Sequence, residues 1–368
     1  SKPIMKNKLI ALLCALAFVF SLAGCTLSTP DTVGKIGDYE IPSGLYLLAQ
    51  YDAYQKAADL ASSEQDASDV KGFLKATITP EGEDAVTVRD YVARETLKNL
   101  ETYAAVETRF AELGGELTEE ETQQADSYAT QLMDQYGDTY KANGIGLETV
   151  KLFERILIKS NDLLSLVYGE NGETPVSDAD LTAHLENDMV ELAYCTIPLY
   201  NTSTYAFADD DQKAQMLTLA QQAATAVNLA ANESVSEQVS ALNAAAQAAL
   251  PDIYAVLGST PSDTSVQTEL LGASTLDSTF TQDGAADTIR GLAYGQAAAV
   301  QYSSYAMMLA LRLDPLAVAS LDDVRTQVLR DLQSTQLKDD LAAYGASMEH
   351  DLSDSAMKKL PMTKIVNK

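Results

Sequence analysis

The sequence predicts an α+β chain that is mostly helical, on three observations. Between residues 43 and 168 apolar residues recur at helical spacing, interrupted by capping motifs and glycine stops. From 190 to 199, and again from 300 to 313, the pattern reads as strand. Ala- and Gln-rich helical stretches separate these strands, and an amphipathic stretch follows Ser320.

The chain opens with an export leader that reads from Met5. Lys6 and Lys8 form its cationic start, Leu9 to Phe20 its apolar run, and Leu22-Ala23-Gly24-Cys25 a lipobox. Residues 1–24 are expected to be cleaved and Cys25 to carry the lipid. A dozen apolar residues are too few for a ~30 Å hydrocarbon core, so the leader is not a permanent span. Two acyl chains anchor durably where one is marginal, which places the protein on the extracytoplasmic face of the cell membrane. Residues 25–32 are the lipidated cysteine and a polar tether. Cys14 leaves with the leader and Cys25 is acylated, so Cys195 has no disulfide partner and the core must stabilise the fold.

Val33 to Ile41 alternates about Gly37-Asp38, a hairpin signal. Ser43 then reads as the N-cap of a helix reaching Ala61, followed by a polar loop over 62–85. Thr87 opens a long helix through Tyr91, Leu97, Leu100 and Phe110, with Arg94 reaching solvent, and Gly114-Gly115 stops it. Thr118-Glu119-Glu120-Glu121 is a capping box for a third helix that ends near Tyr136-Gly137. Leu147 to Tyr168 gives a fourth, with Val150, Phe153, Ile156, Leu157, Leu163 and Leu164 on one side. Residues 33–170 therefore form an all-helical module behind a hairpin.

A linker (170–175) leads to a short helix capped by Ser177 and ending near Asp188. Val190 to Leu199 is a strand. Helices follow from Asp209 to Ala231 and from Ser234 to Leu250, then a possible strand from Val266 to Leu271, a short helix at 285–292, and one or two strands from Val300 to Leu313. Ser320 caps the last helix, through Val324, Leu329, Leu332, Leu337 and Leu341, and Leu360 to Ile365 closes the chain in extended form. The segments divide as 33–170, 171–188, 189–315 and 316–368.

Charge narrows the function. The formal charge is −28, and loss of Lys2, Lys6 and Lys8 with the leader makes it −31. Such a chain is not expected to bind nucleic acid or an anionic membrane face through electrostatics, and it is expected to repel polyanionic wall polymers. His184 and His350 are the only histidines, and both read as exposed and structural. No His/Cys cluster has metal-ligand spacing, and no cofactor fingerprint is present. Glu119 to Glu121 and Asp209 to Asp211 sit at helix starts, where acids complement the macrodipole. Cys195 reads as a small buried hydrophobe rather than a nucleophile. Tyrosine carries the functional promise: Tyr46, Tyr51, Tyr54, Tyr91 and Tyr103, with Tyr128, Tyr136 and Tyr140, offer broad apolar area with polar tips for varied unfolded segments. Amphipathic helices also use Tyr simply as core.

This order of elements resembles the PrsA-type foldase lipoproteins and SurA-type chaperones. The resemblance rests on Val33 to Ile41, on Val176-Ser177-Asp178-Ala179-Asp180-Leu181, on the strand Val190 to Leu199, on Gly295 to Leu311 and on Leu360 to Ile365. It implies a helical chaperone-like module, a parvulin-type prolyl isomerase domain as an antiparallel sheet with helices, and a C-terminal helix returning to the first module. It also implies exported polypeptides as partners. The parvulin domains usually carry one histidine on their first strand and another in a Gly-Tyr-His run. Here those stretches read Ala193-Tyr194-Cys195-Thr196-Ile197 and Ser304-Tyr305-Ala306-Met307-Met308, with Ala306 at the second position. The resemblance thus implies a parvulin fold without parvulin chemistry. An active isomerase of unusual chemistry, a solute-binding lipoprotein and a structural scaffold are the competing readings. The second needs repeated βαβ units, and 42–170 carries no strand signal.

Overall fold

The structure, a computed structural model, describes residues 29–230 and 233–368, so the leader and Cys25 lie outside the described residues. It is mostly helical with small antiparallel sheets, the α+β class expected. The described residues form two compact units, one of residues 29–175 with Thr335–Lys368 and one within Val176–Ser334.

In the first unit, β1 (Thr32–Ile36) and β2 (Tyr39–Pro42) form the expected hairpin, with Gly37 at φ +59° in its turn. Four helices pack beneath: α1 (Ser43–Asp59), α3 (Val88–Glu112), α4 (Glu119–Ala142) and α5 (Leu147–Tyr168). Thr87 caps α3 by accepting from the Asp90 amide, and Thr118 with Glu121 forms the capping box of α4. Ser43 does not cap α1. It is the first helical residue, and its hydroxyl donates to the Pro30 carbonyl. Residues 62–85 are not all loop: α2 (Val70–Phe73) and a two-stranded ladder of β3 (Thr77–Ile78) and β4 (Val86–Thr87) bury Val70, Phe73 and Ile78 against Tyr54 and Tyr91. The α4 helix passes through Gly137 to Ala142, since one glycine costs only ~1 kcal/mol and the tyrosines flanking it pack. Leu157 faces solvent rather than the α5 core stripe.

The C-terminal segment completes this unit. The last half of α12 (Leu321–Ser347) carries Gly345, whose Cα lies so close to the Glu101 carbonyl that a methyl there would overlap it. Beyond it, β9 (His350–Leu352) pairs antiparallel with β1, giving the strand order β2-β1-β9. The tail is therefore not a simple extended run. After β9 come α13 (Asp354–Lys358) and a 3-10 turn (Met362–Lys364), with Leu360 and Ile365 buried. Gly34, at φ +116°, leaves β1 room for the Asp351 carbonyl.

In the second unit, α6 (Asp178–Asn187) is capped by Ser177 and leads into β5 (Val190–Pro198). One four-stranded antiparallel sheet has the order β6 (Gln267–Leu271), β5, β8 (Ala306–Leu313), β7 (Ala297–Gln301). One face packs Ala193, Cys195, Ile197, Leu309 and Leu311 against α7 (Asp210–Leu229) and α8 (Val235–Ala255). The other packs Leu192, Met308 and Ala310 against α9 (Ala273–Thr279) and α10 (Ala285–Arg290). The sequence reading did not contain α9 or α11 (Pro315–Val318), and α8 continues through Pro251 to Ala255. Both central strands are buried, so β8 reads as the continuous apolar run Ala306 to Leu311. Arg312 ends that run. Its guanidinium donates to the Arg290 and Leu292 carbonyls at 2.6 and 3.0 Å and lies over the Tyr294 ring. Arg290 ends α10, so the buried cation meets the negative end of a helix dipole.

Gly34→Ala is expected to destabilise the first unit by roughly 2–4 kcal/mol, combining left-handed strain with overlap on β9. Thermal unfolding of the variant measures it. A change under ~0.5 kcal/mol would mean that β9 is not held against β1.

Candidate functional site

The five tyrosines expected to meet clients lie mostly in the core of the first unit. Tyr46, Tyr54, Tyr91 and Tyr103 are buried and Tyr51 is half-buried. Tyr54 donates to the Ala67 carbonyl at 2.6 Å and stacks edge-on against Phe73, and burial, aided by Asp69 and Asp66, pushes its phenol up to about 12. Tyr103 packs edge-on against Phe153, and burial raises its phenol too. Their area is used in packing, so as placed they offer little to a client. Of the wider set, Tyr128 and Tyr136 face solvent from α4.

A larger aromatic surface stands at one end of the four-stranded sheet. Pro198 ends β5 opposite Ala306, the first residue of β8. Past that edge the chain makes a tight loop: Tyr200 bridges Phe207, the Asn201 amide donates to the Ala206 carbonyl at 2.9 Å, and Ala208 returns to the Leu199 carbonyl. The Asn201 side chain organises it. Its Oδ1 accepts from the Ser203 and Thr204 amides at 2.9 and 3.1 Å, while its Nδ2 donates to the Leu257 carbonyl at 2.7 Å. Tyr205 is held at φ +59°, a left-handed conformation that costs a non-glycine residue roughly 1–2 kcal/mol. The rings of Tyr200 and Tyr205 stack at 6.3 Å, Tyr200 meets Phe207 edge-on at 6.0 Å, and Phe207 meets Tyr305 at 6.0 Å. Tyr205, Phe207 and Tyr305 are 72%, 62% and 60% exposed. A fixed cluster of rings left this open is a candidate interaction surface.

The sequence reading missed this cluster, although three aromatics among eight residues of a polar loop, Tyr200 to Phe207, were its signal.

The positions where the resemblance implies histidines hold other chemistry. Cys195 is buried between β8 and α8, and burial pushes its thiol up to about 11, which suits the expected small hydrophobe. Tyr194 donates to Glu269 at 2.9 Å; burial and that carboxylate push its phenol up to about 12. Ala306 offers only a methyl. His184 is not exposed as expected. Its Nδ1 faces Asp188 at 3.1 Å and its Nε2 faces Asp331 at 2.6 Å, where Asp331 also accepts from the Ala273 amide. His350 Nε2 faces Glu101 at 2.9 Å, tying β9 to α3. The acids at 119–121 and 209–211 sit at the starts of α4 and α7. Among the described residues no group of three or more His, Cys, Asp or Glu could hold a metal.

No family model matches the sequence, and no curated protein matches it. Among solved structures, a similar chain is the foldase protein PrsA from Streptococcus pneumoniae, 14% identical over 77% of this chain and 98% of that chain, with a TM-score of 0.35. A likeness at this level fixes neither fold nor chemistry, which rest on the geometry above.

Two carboxyls make stability depend on pH. Burial, with Glu269 nearby, pushes Glu191 up to about 7, and burial, with a hydrogen bond to Glu121, does the same for Asp162. Raised carboxyl pKa values favour the folded state at low pH, and that contribution is lost as pH rises from the unfolded value near 4 through 7. The melting temperature is therefore expected to be higher at pH 5 than at pH 8. Glu191→Gln should narrow the difference and stabilise the fold at pH 8 by roughly 1–3 kcal/mol. A pH-independent effect of that substitution would assign Glu191 no role in the profile.

Proposed function

We propose that this protein is a lipid-anchored chaperone on the extracytoplasmic face of the membrane, which holds incompletely folded exported polypeptides without prolyl-isomerase chemistry. The exposed cluster of Tyr205, Phe207 and Tyr305 carries the reading. Aromatic rings present large apolar area at low side-chain entropy cost, so they accept many sequences without demanding one shape. The loop is fixed beforehand by Asn201, so little ordering cost falls on the encounter. Tyr128 and Tyr136 offer a second, smaller aromatic face on α4.

The anchor rests on Leu22-Ala23-Gly24-Cys25. Among the described residues no helix is long and apolar enough to cross a membrane. Tyr194, Cys195 and Ala306 support the reading without isomerase chemistry. An X–Pro bond faces a barrier of ~18–20 kcal/mol, and lowering it needs polar groups aimed at the twisting amide. Here Tyr194 is engaged with Glu269, Cys195 is buried and protonated, and Ala306 has no polar atom.

Three experiments test the parts separately. In light scattering of a denatured model protein, the mature chain should suppress aggregation. Tyr205→Ser with Phe207→Ser and Tyr305→Ser should lose at least half of that effect while keeping its melting temperature. Salt should matter little, because apolar contact dominates. Unchanged suppression by the triple variant removes the cluster from the function. A protease-coupled proline peptide assay should show only the uncatalysed rate, and a clear acceleration would favour the isomerase reading. Cys25→Ala should abolish labelling by a fatty-acid probe; labelling that persists would overturn the anchor.

A further inference from the structure

The strongly acidic chain reverses its charge at its C-terminus. From Ala356 to Lys368 there are four lysines, Lys358, Lys359, Lys364 and Lys368, and no acid, whereas the whole chain has 25 Lys and Arg against 53 Asp and Glu. All four are exposed, and none forms an ion pair with a described residue. They are not a loose tail. Leu360 and Ile365 are buried, the Asn143 side chain exchanges two hydrogen bonds with the Val366 backbone at 2.9 and 2.8 Å, and Asn367 bonds to Gln55 and to the Ala67 carbonyl. The lysines are therefore presented on a built surface of the first unit.

Their location gives the surface a partner. Lys359 and Lys364 line one cavity together with Thr29, Gln50 and Asn143. A neighbouring cavity shares Gln50, Leu360 and Pro361 and adds Arg89 and Lys358, and its lining includes a single carboxylate, Asp354. Thr29 is four residues past Cys25, so at most ~14 Å of extended chain separates the lysines' neighbour from the acylated residue. An acyl anchor at Cys25 thus delivers this face to the headgroup layer before any other.

We propose that this lysine face is a second membrane contact, docking on anionic phospholipid headgroups beside the lipid anchor and so setting which side of the protein faces the bilayer. It rests on the lipid-anchor reading above. The Debye length is ~8 Å at physiological ionic strength. Lysines that the short tether brings within that distance attract the headgroups, while charges farther from the bilayer are screened. The net charge of −31 without the leader and a local attraction to an anionic bilayer are thereby compatible.

The test uses the full acylated protein in vesicles of phosphatidylcholine alone or with a third of phosphatidylglycerol. Flotation reports the anchor, and mass-spectrometric labelling by an amine-reactive reagent reports the face. Labelling of Lys359, Lys364 and Lys368 is expected to fall at least threefold on the anionic vesicles relative to the neutral ones. It should recover in 0.5 M NaCl and stay low in 10 mM inorganic phosphate, which separates a headgroup surface from a free-anion site. In Lys359→Glu with Lys364→Glu, the protection of Lys368 should disappear while flotation continues. Flotation with equal labelling on both vesicles overturns the inference and leaves the anchor standing. Failure to float on either vesicle overturns the anchor, and this inference with it.

Discussion

The antiparallel pairing of β1 with β9 is the contact on which the first unit depends. It joins Gly34, Lys35 and Ile36 to Leu352, Asp351 and His350, residues more than 300 positions away. Closing so long a loop costs entropy, but the cost grows only with the logarithm of length, and several contacts share it. His350 reaches Glu101, Gly345 lies against the Glu101 backbone, Tyr344 donates to Glu112 at 2.7 Å and Tyr168 meets Asp340 at 3.4 Å. The two glycines are needed because backbone meets backbone there. Without the returning segment, β1 would lose its second neighbour, and Glu101 and Glu112 their partners from it.

The second unit is organised by burying both faces of β5 and β8. Once a strand is covered on both sides, each polar group on it needs a special arrangement. Arg312 finds carbonyls at a helix end, and Glu191 answers burial with a raised carboxyl pKa. At the rim the covering helices stop and the chain leaves the sheet. Loops positioned there by a rigid scaffold carry function more often than the strands do. The aromatic loop follows that logic: Asn201 and the strained Tyr205 hold rings outward that hydrophobicity alone would fold inward.

Charge divides the surface into two tasks. The acidic majority keeps a chain with open aromatic rings soluble and discourages association between copies. The short basic tail, packed beside Thr29, is the exception that an average hides. Opposite signs a few residues apart, as Asp354 and Lys358 are, show that net charge describes solubility and long-range repulsion, while contact at a surface depends on what lies within a Debye length.

The sequence by itself determined what short-range bonds determine. Thr87, Thr118, Ser177 and Asp209 stop the chain from entering a helix earlier, because each side chain accepts from an amide three residues on, and Glu121 accepts in return from the Thr118 amide. The β1–β2 turn and the alternation of β5 are equally local. Tertiary structure decided which face of each tyrosine helix is inside. Tyr54 and Tyr128 look alike on their helices, yet one is sealed by α2 and the C-terminal turn and the other is open. It also decided that three residues at 350–352 form a strand, since so short a segment has no periodicity to read and becomes a strand only when β1 offers its edge. The aromatic loop is the same case: its residues were in plain view, but their exposure depends on where the sheet ends and on a hydrogen bond from Asn201 to Leu257, 56 residues away.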